Sequence, residues 1–239
     1  MTESPLQPAR GRRVAAFVRH GHFDRPEATA SAQSLYPLSA QGRVQATEAA
    51  VPILELCADL GLEVDSRIEA SQLLRAWETA KLLAESLGER TGRHFHVIQR
   101  DELIERGLGS ATNLTFDRIE ALLAADPRQA RLPKGWRRMP EFQLPVQGSE
   151  SLMQAGARVA ARVAASLDAI PEDDPRDLTR IFVAHSGCLR HAAVALGAID
   201  VRVVSGLSMD FAQTVMIEKL PNGDWVHVGG QFRKQLPDS

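Results

Sequence analysis

Val14-Ala15-Ala16-Phe17-Val18-Arg19-His20-Gly21 is the stretch that decides the fold. Its apolar run reads as a short buried strand, and the polar Arg-His-Gly stop reads as the strand's end and a glycine turn. The same pattern returns near the C-terminus, where Ile181-Phe182-Val183-Ala184 runs into His185-Ser186-Gly187. In an open α/β sheet, ligands sit beyond the carboxyl ends of the parallel strands. Two histidines delivered to that edge, one beside an arginine, point to chemistry on an anion. Phosphate is the first candidate.

Working outward, Ser39 is an N-cap for a helix with apolar spacing to about residue 60, closed by Gly61. Residues 67–70 read as a strand, 73–87 as a helix closed by Gly88, and 94–99 as another strand. A short helix spans 116–125, a strong one begins at Ser149 and runs to about 169, and a third covers 189–196. Residues 211–219 alternate as a strand, Asn222-Gly223 turns the chain, and 225–228 return as a hairpin partner. Strands alternating with helices predict an α/β fold with a mostly parallel central sheet, and the final hairpin predicts an antiparallel edge. Residues 21–36, 103–114 and 133–148 read as loops, the last carrying Trp136; long loops of this kind often hold function.

The chain has 239 residues, 44% hydrophobic, enough to bury a core without disulfides. A formal net charge of -2 gives no global signal for nucleic acid or for an anionic membrane. Cys57 and Cys188 are too few for a disulfide framework and form no CxxC pair, so a reducing cytoplasm is expected. The N-terminus has no apolar signal core, and no run approaches membrane-spanning length. Residues 1–13, with Arg10, Arg12 and Arg13, read as a flexible tail. Residues 14–232 read as one domain with an inserted loop or cap at about 112–148. The C-terminal edge could pair with a second copy as a homodimer.

Two further segments carry chemistry-bearing residues. Arg75 falls in the first turn of its helix, where the dipole disfavours a cation unless an anion is bound there too. Glu105-Arg106 sits in a glycine-rich loop, as a proton donor or as half of an ion pair. Taken singly, each also reads as an ordinary surface feature.

Together the segments resemble the histidine phosphatase superfamily, which includes the cofactor-dependent phosphoglycerate mutases. The resemblance runs from about Val14 to Val228. It rests on Arg19-His20-Gly21, Pro37-Leu38-Ser39 with Gly42-Arg43-Val44-Gln45-Ala46, the segment from Ser71 to Ala80, Leu103-Ile104-Glu105-Arg106 with Gly109, Gly148-Ser149-Glu150-Ser151, and His185-Ser186-Gly187. It implies a phosphoglycerate mutase-like three-layer α/β/α sandwich. It implies His20 as nucleophile, Arg19, Arg75 and His185 around the phosphoryl oxygens, and Glu105 as proton donor. Gly21, Arg106 and the hydroxyl and amides of Ser186-Gly187 would add contacts to a small phosphorylated substrate. No metal and no cofactor are implied.

Departures shape the expected function. His22 stands where the family often has Glu, and Pro26 occupies the region of a usual asparagine. His22 could contact substrate or be a solvated loop histidine. Trp136-Arg137-Arg138 resembles the mutases' substrate-carboxylate segment, but the proline-rich stretch after it is shorter and the mutase pattern around Arg-His-Gly is missing; Arg137 and Arg138 could still select an acidic substrate or form a basic surface loop. A phosphomonoesterase is therefore favoured over a mutase or a non-catalytic phospho-ligand module. A dinucleotide site is excluded by the lack of GxGxxG after the first strand. Cys188 reads as a small core residue, and His94, His96, His191 and His227 as structural.

Overall fold

The computed structural model describes residues 10–24 and 33–234. The expected tail at 1–9, the C-terminal 235–239 and the part of the 21–36 loop that contains Pro26 lie outside the described residues.

The strands are β1 (Arg13–Arg19), β2 (Glu63–Ser71), β3 (His96–Arg100), β4 (Leu178–Ala184), β5 (Leu207–Ser208), β6 (Thr214–Lys219), β7 (Trp225–Gly230) and β8 (Arg233–Lys234). Six form one sheet in the order β3-β2-β4-β1-β6-β7. β1 to β4 run parallel; β6 and β7 make the antiparallel edge. β5 and β8 pair apart from it.

Helices α1 (Ala40–Glu48), α2 (Ala50–Leu60) and α3 (Leu74–Thr91) cover one face; α5 (Leu152–Asp168) and α6 (Ser186–Ala195) cover the other. The strand period of two divides β1 between the two cores. Val14, Ala16 and Val18 pack with Ile53, Leu83 and Leu87, while Ala15 and Phe17 pack with Val159, Val163 and Leu189. Phe17 meets Phe182 of β4 edge-on, with ring centroids 6.4 Å apart. α4 (Phe116–Ala125) and the 3-10 turn Trp136–Arg138 gather a third core of Leu108, Ala111, Ile119, Leu123, Trp136 and Leu144. The short α7 (Val201–Val204) precedes β5.

Several boundaries differ from the sequence reading. The helix at 39–60 is two helices that meet at Ala49. α3 runs through Gly88 and ends at Gly92, whose φ of 67° takes the left-handed cap geometry. β2 starts at Glu63, earlier than its apolar pattern suggests, because its polar residues are paired across the layers. Asp65 binds Arg180 of β4, and the fully buried Glu69 accepts from Arg100, Arg162 and Ser166. α5 is capped by Ser151 in a capping box with Gln154, whereas Ser149 donates to the Leu144 carbonyl at 2.6 Å. α6 begins at Ser186, directly after its strand, and β6 begins only at Thr214. Arg12 and Arg13 are anchored rather than in a tail: Arg12 pairs with Glu218, and the buried Arg13 donates to the carbonyls of Gly11, Arg176 and Asp174.

Candidate active site

β1 and β4 are neighbours with Arg19 opposite Ala184, so His20 and His185 leave the sheet side by side. The His20 amide donates to the Ala184 carbonyl at 3.0 Å, and the two rings lie 5.1 Å apart. β2 lies on the other flank of β4, with Ala70 opposite Val183, which brings Ser71 to the same edge. α3 starts three residues later and places Arg75 in its first turn, 2% exposed.

The Arg75 guanidinium joins these pieces. Its Nε donates to His20 Nε2 at 3.3 Å, Nη2 to His185 Nδ1 at 3.2 Å, and Nη1 to the Ser34 carbonyl at 3.0 Å. On the far side of His20, Nδ1 faces the Gly21 carbonyl at 2.8 Å. A carbonyl only accepts, so Nδ1 carries the proton and Nε2 presents its lone pair. Burial, then the charges of Arg75 and Arg19, push His20 well below the ordinary histidine range. Burial, then Arg75, does the same to His185.

Arg19 donates through Nη1 to the Met209 carbonyl and lies over the Phe211 ring at 3.8 Å, while its Nε is buried without a partner. Burial brings Arg19 and Arg75 down to about 10, so both remain cations at neutral pH. Phe23 meets His20 edge-on at 5.3 Å and underlies Arg75 at 4.7 Å. A neutral imidazole lone pair is thus framed by two guanidinium groups and two aromatic walls.

Glu105 arrives from the loop after β3. Its Oε1 accepts from the amides of Arg106 at 2.8 Å and Cys188 at 3.1 Å, and its Oε2 accepts from Gly187 at 3.2 Å. The expectation that the amides of Ser186-Gly187 face phosphate is corrected at Gly187: the carboxylate already occupies this helix N-terminus, where backbone donors and dipole favour an anion. Gly187 is required by this approach, since a Cβ there would stand 2.7 Å from Oε1.

The remaining candidates divide. Gly21 donates to Thr79 Oγ1 at 3.0 Å, which ties the His20 turn to α3. His22 Nδ1 bonds Ser39 Oγ at 2.8 Å and its ring meets Phe211, so it braces the loop against α1. Ser186 Oγ accepts from the Met209 amide at 3.3 Å. Arg106 is half-buried near Glu105 and Glu150, and burial lowers its pKa. Arg137 is not brought to the histidines: it donates to Glu120 at 3.0 Å and lies over Phe116 at 3.9 Å. Arg137 and Arg138 line a separate cavity of about 710 Å³ with Arg131, Lys134 and Glu120. Cys188 is fully buried and its thiol is pushed up by burial, in keeping with a core role. Among the described residues, no group of three or more His, Cys, Asp or Glu is placed to hold a metal ion, and no helix is long and apolar enough to cross a membrane.

Sequence reasoning gave no role to Ser71, Phe23, Thr79 or Phe211. Ser71 and Thr79 lie within the segment that carries Arg75, whereas Phe23 reaches the site from a loop and Phe211 from the turn before β6, ahead of the strand expected at 211–219.

The sequence model of the histidine phosphatase superfamily (branch 1) matches residues 15–228. No curated protein matches the chain in sequence. Among solved structures, a mycobacterial hydrolase is 27% identical with a TM-score of 0.67, the match covering 92% of this chain and 98% of that one. A mycobacterial glucosyl-3-phosphoglycerate phosphatase complexed with VO3 is 29% identical with a TM-score of 0.65, covering 90% and 97%. A phosphoglycerate mutase from Bacillus anthracis str. Sterne shares the fold at 15% identity with a TM-score of 0.69, covering 92% and 93%.

Proposed function

This chain belongs to the histidine phosphatase superfamily, and from that premise we propose that it is a metal-independent phosphomonoesterase that hydrolyses a small phosphorylated metabolite through phospho-His20. The observation that carries the reading is the hydrogen bond from His20 Nδ1 to the Gly21 carbonyl, which leaves Nε2 as an uncharged lone pair against the Arg75 guanidinium.

In the first step Nε2 attacks phosphorus, the N–P bond forms and the ester P–O bond breaks. Arg19, Arg75 and His185 hold the equatorial oxygens, over which charge spreads in the transition state. Arginine suits the task because its planar fork donates two parallel bonds to a phosphoryl group. The leaving oxygen takes a proton from Glu105. Oε2 has a single amide partner, against two for Oε1, and so has the lone pair free to carry that proton. In the second step Glu105 takes a proton from water as the water attacks phosphorus, and His20 is released neutral.

Hydrolysis is favoured over mutase transfer by the placement of Arg137, which spends its guanidinium on Glu120 and Phe116. The named phosphatase among the mycobacterial relatives supports the same choice, and phosphate esters of glycosylated acids belong in the first substrate screen. The test is hydrolysis of p-nitrophenyl phosphate with EDTA present. Wild type turns over and His20→Ala does not; a folded wild type without turnover, or equal rates for both proteins, overturns the reading.

A further inference from the structure

We propose that Ser71 is a positioning residue that accepts from His185 Nε2–H, so that His185 takes up a proton at Nδ1 when a phosphoryl dianion enters the site. The inference rests on the phosphoryl-site reading above.

Arg75 Nη2 has only hydrogens to give, so at 3.2 Å His185 Nδ1 must offer its lone pair. The single proton of the neutral ring is then on Nε2, which faces Ser71 Oγ at 3.0 Å. Ser71 is fully buried at the end of β2, and its Oγ also accepts from the Leu73 amide at 3.3 Å. Among the described residues, the charged and titratable groups that act on His185 are Arg75 from α3, Arg19 at the end of β1, His20 just after it, and Arg158 from α5; together with burial they keep the empty site's ring neutral.

A phosphoryl dianion reverses this balance. The Arg75 fork turns to the phosphoryl oxygens, and Nδ1 would meet an anionic oxygen lone pair to lone pair. A proton supplied by the buffer removes that conflict: a new Nδ1–H bond forms and the contact becomes a charge-assisted hydrogen bond. Ser71 goes on accepting from Nε2–H. Without its hydroxyl, the imidazolium has a buried N–H with no acceptor.

The test uses the full chain and tungstate, a stable dianion that needs no turnover to bind. Calorimetry in buffers of different ionisation enthalpy reads the protons taken up, in a His20→Ala background that removes the nucleophile's own titration. The expected result is uptake of about one proton per tungstate near neutral pH. Ser71→Ala then weakens tungstate about tenfold or more near neutral pH and moves the alkaline end of the affinity decline down by about one pH unit. In a His185→Ala background, Ser71→Ala has no further effect. Ser71→Cys, close in size and a weaker acceptor, falls between Ser71→Ala and the parent and serves if Ser71→Ala does not fold. Absence of proton uptake overturns the inference. So does a full Ser71→Ala penalty without His185, which would place the effect in the turn that carries Arg75. Tungstate-linked uptake in a protein that hydrolyses no ester would instead defeat the phosphatase reading alone.

Discussion

At the scale of single residues, Glu105 decides whether the site is built for difficult or easy leaving groups. Its carboxylate is positioned by three backbone amides and by no side-chain hydrogen bond among the described residues. Glu105→Gln keeps the shape and removes the transferable proton. With an alkyl phosphate, kcat/KM should fall about 10²- to 10⁴-fold. With p-nitrophenyl phosphate, whose leaving oxygen needs little protonation, the loss should be far smaller. Equal losses on both esters would mean that Glu105 holds the pocket's shape rather than moving a proton. The residues that meet here were legible as motifs: His20, Arg75, Glu105 and His185 each stand in a recognisable segment. Phe23 and Phe211 were not, and Ser71, though inside the Arg75 segment, showed no role of its own, because an aromatic wall or a hydroxyl acceptor is defined by what lies opposite in space.

At the scale of elements, the site is the meeting of strand ends with the N-termini of α3 and α6. The start of α6 directly after His185 leaves its first amides to be used by Glu105, across a gap that only Gly187 permits. Gly187→Ala should therefore displace the carboxylate. Turnover should drop toward that of Glu105→Gln while circular dichroism and cooperative unfolding are retained. Wild-type turnover in this variant would show that the close approach does not matter for catalysis. The strand–helix order was legible because buried strands and amphipathic helices have periods. Boundaries were less so. Polar residues of β2 are paired inside the protein, Gly88 sits within a helix that reaches Gly92, and Ser151 rather than Ser149 supplies the cap. Two-residue strands such as β5 and β8 have no period to read.

At the scale of the whole molecule, function has a cost in acid stability. His20, His185 and His191 are all held below the ordinary histidine range, in each case chiefly by burial. The unfolded chain binds protons at these sites near pH 6.5 while the folded protein does not, so their contribution is intact above about 6.5 and is lost as pH falls below it. Each histidine should steepen the decline by about 1.4 kcal/mol per pH unit. Asp126, Asp174 and Asp200, held at about 2 by hydrogen bonds from Arg128, Arg176 and Arg202, act only in a more acidic window. Urea unfolding without phosphate should show stability falling from pH 7 to pH 5.5, with a shallower slope for His185→Gln. A flat profile would mean that the buried rings accept protons without unfolding.

The central claim is that the phosphoryl group passes through His20. The most direct measurement is rapid quenching of the enzyme during turnover of a phosphate ester under mildly alkaline conditions that preserve phosphohistidine, followed by peptide mass spectrometry. The account predicts one added phosphoryl group on the peptide that contains His20, removed by acid and absent from His20→Ala. Full turnover with no phosphorylated His20 peptide, or a phosphoryl group trapped on another residue, would contradict it.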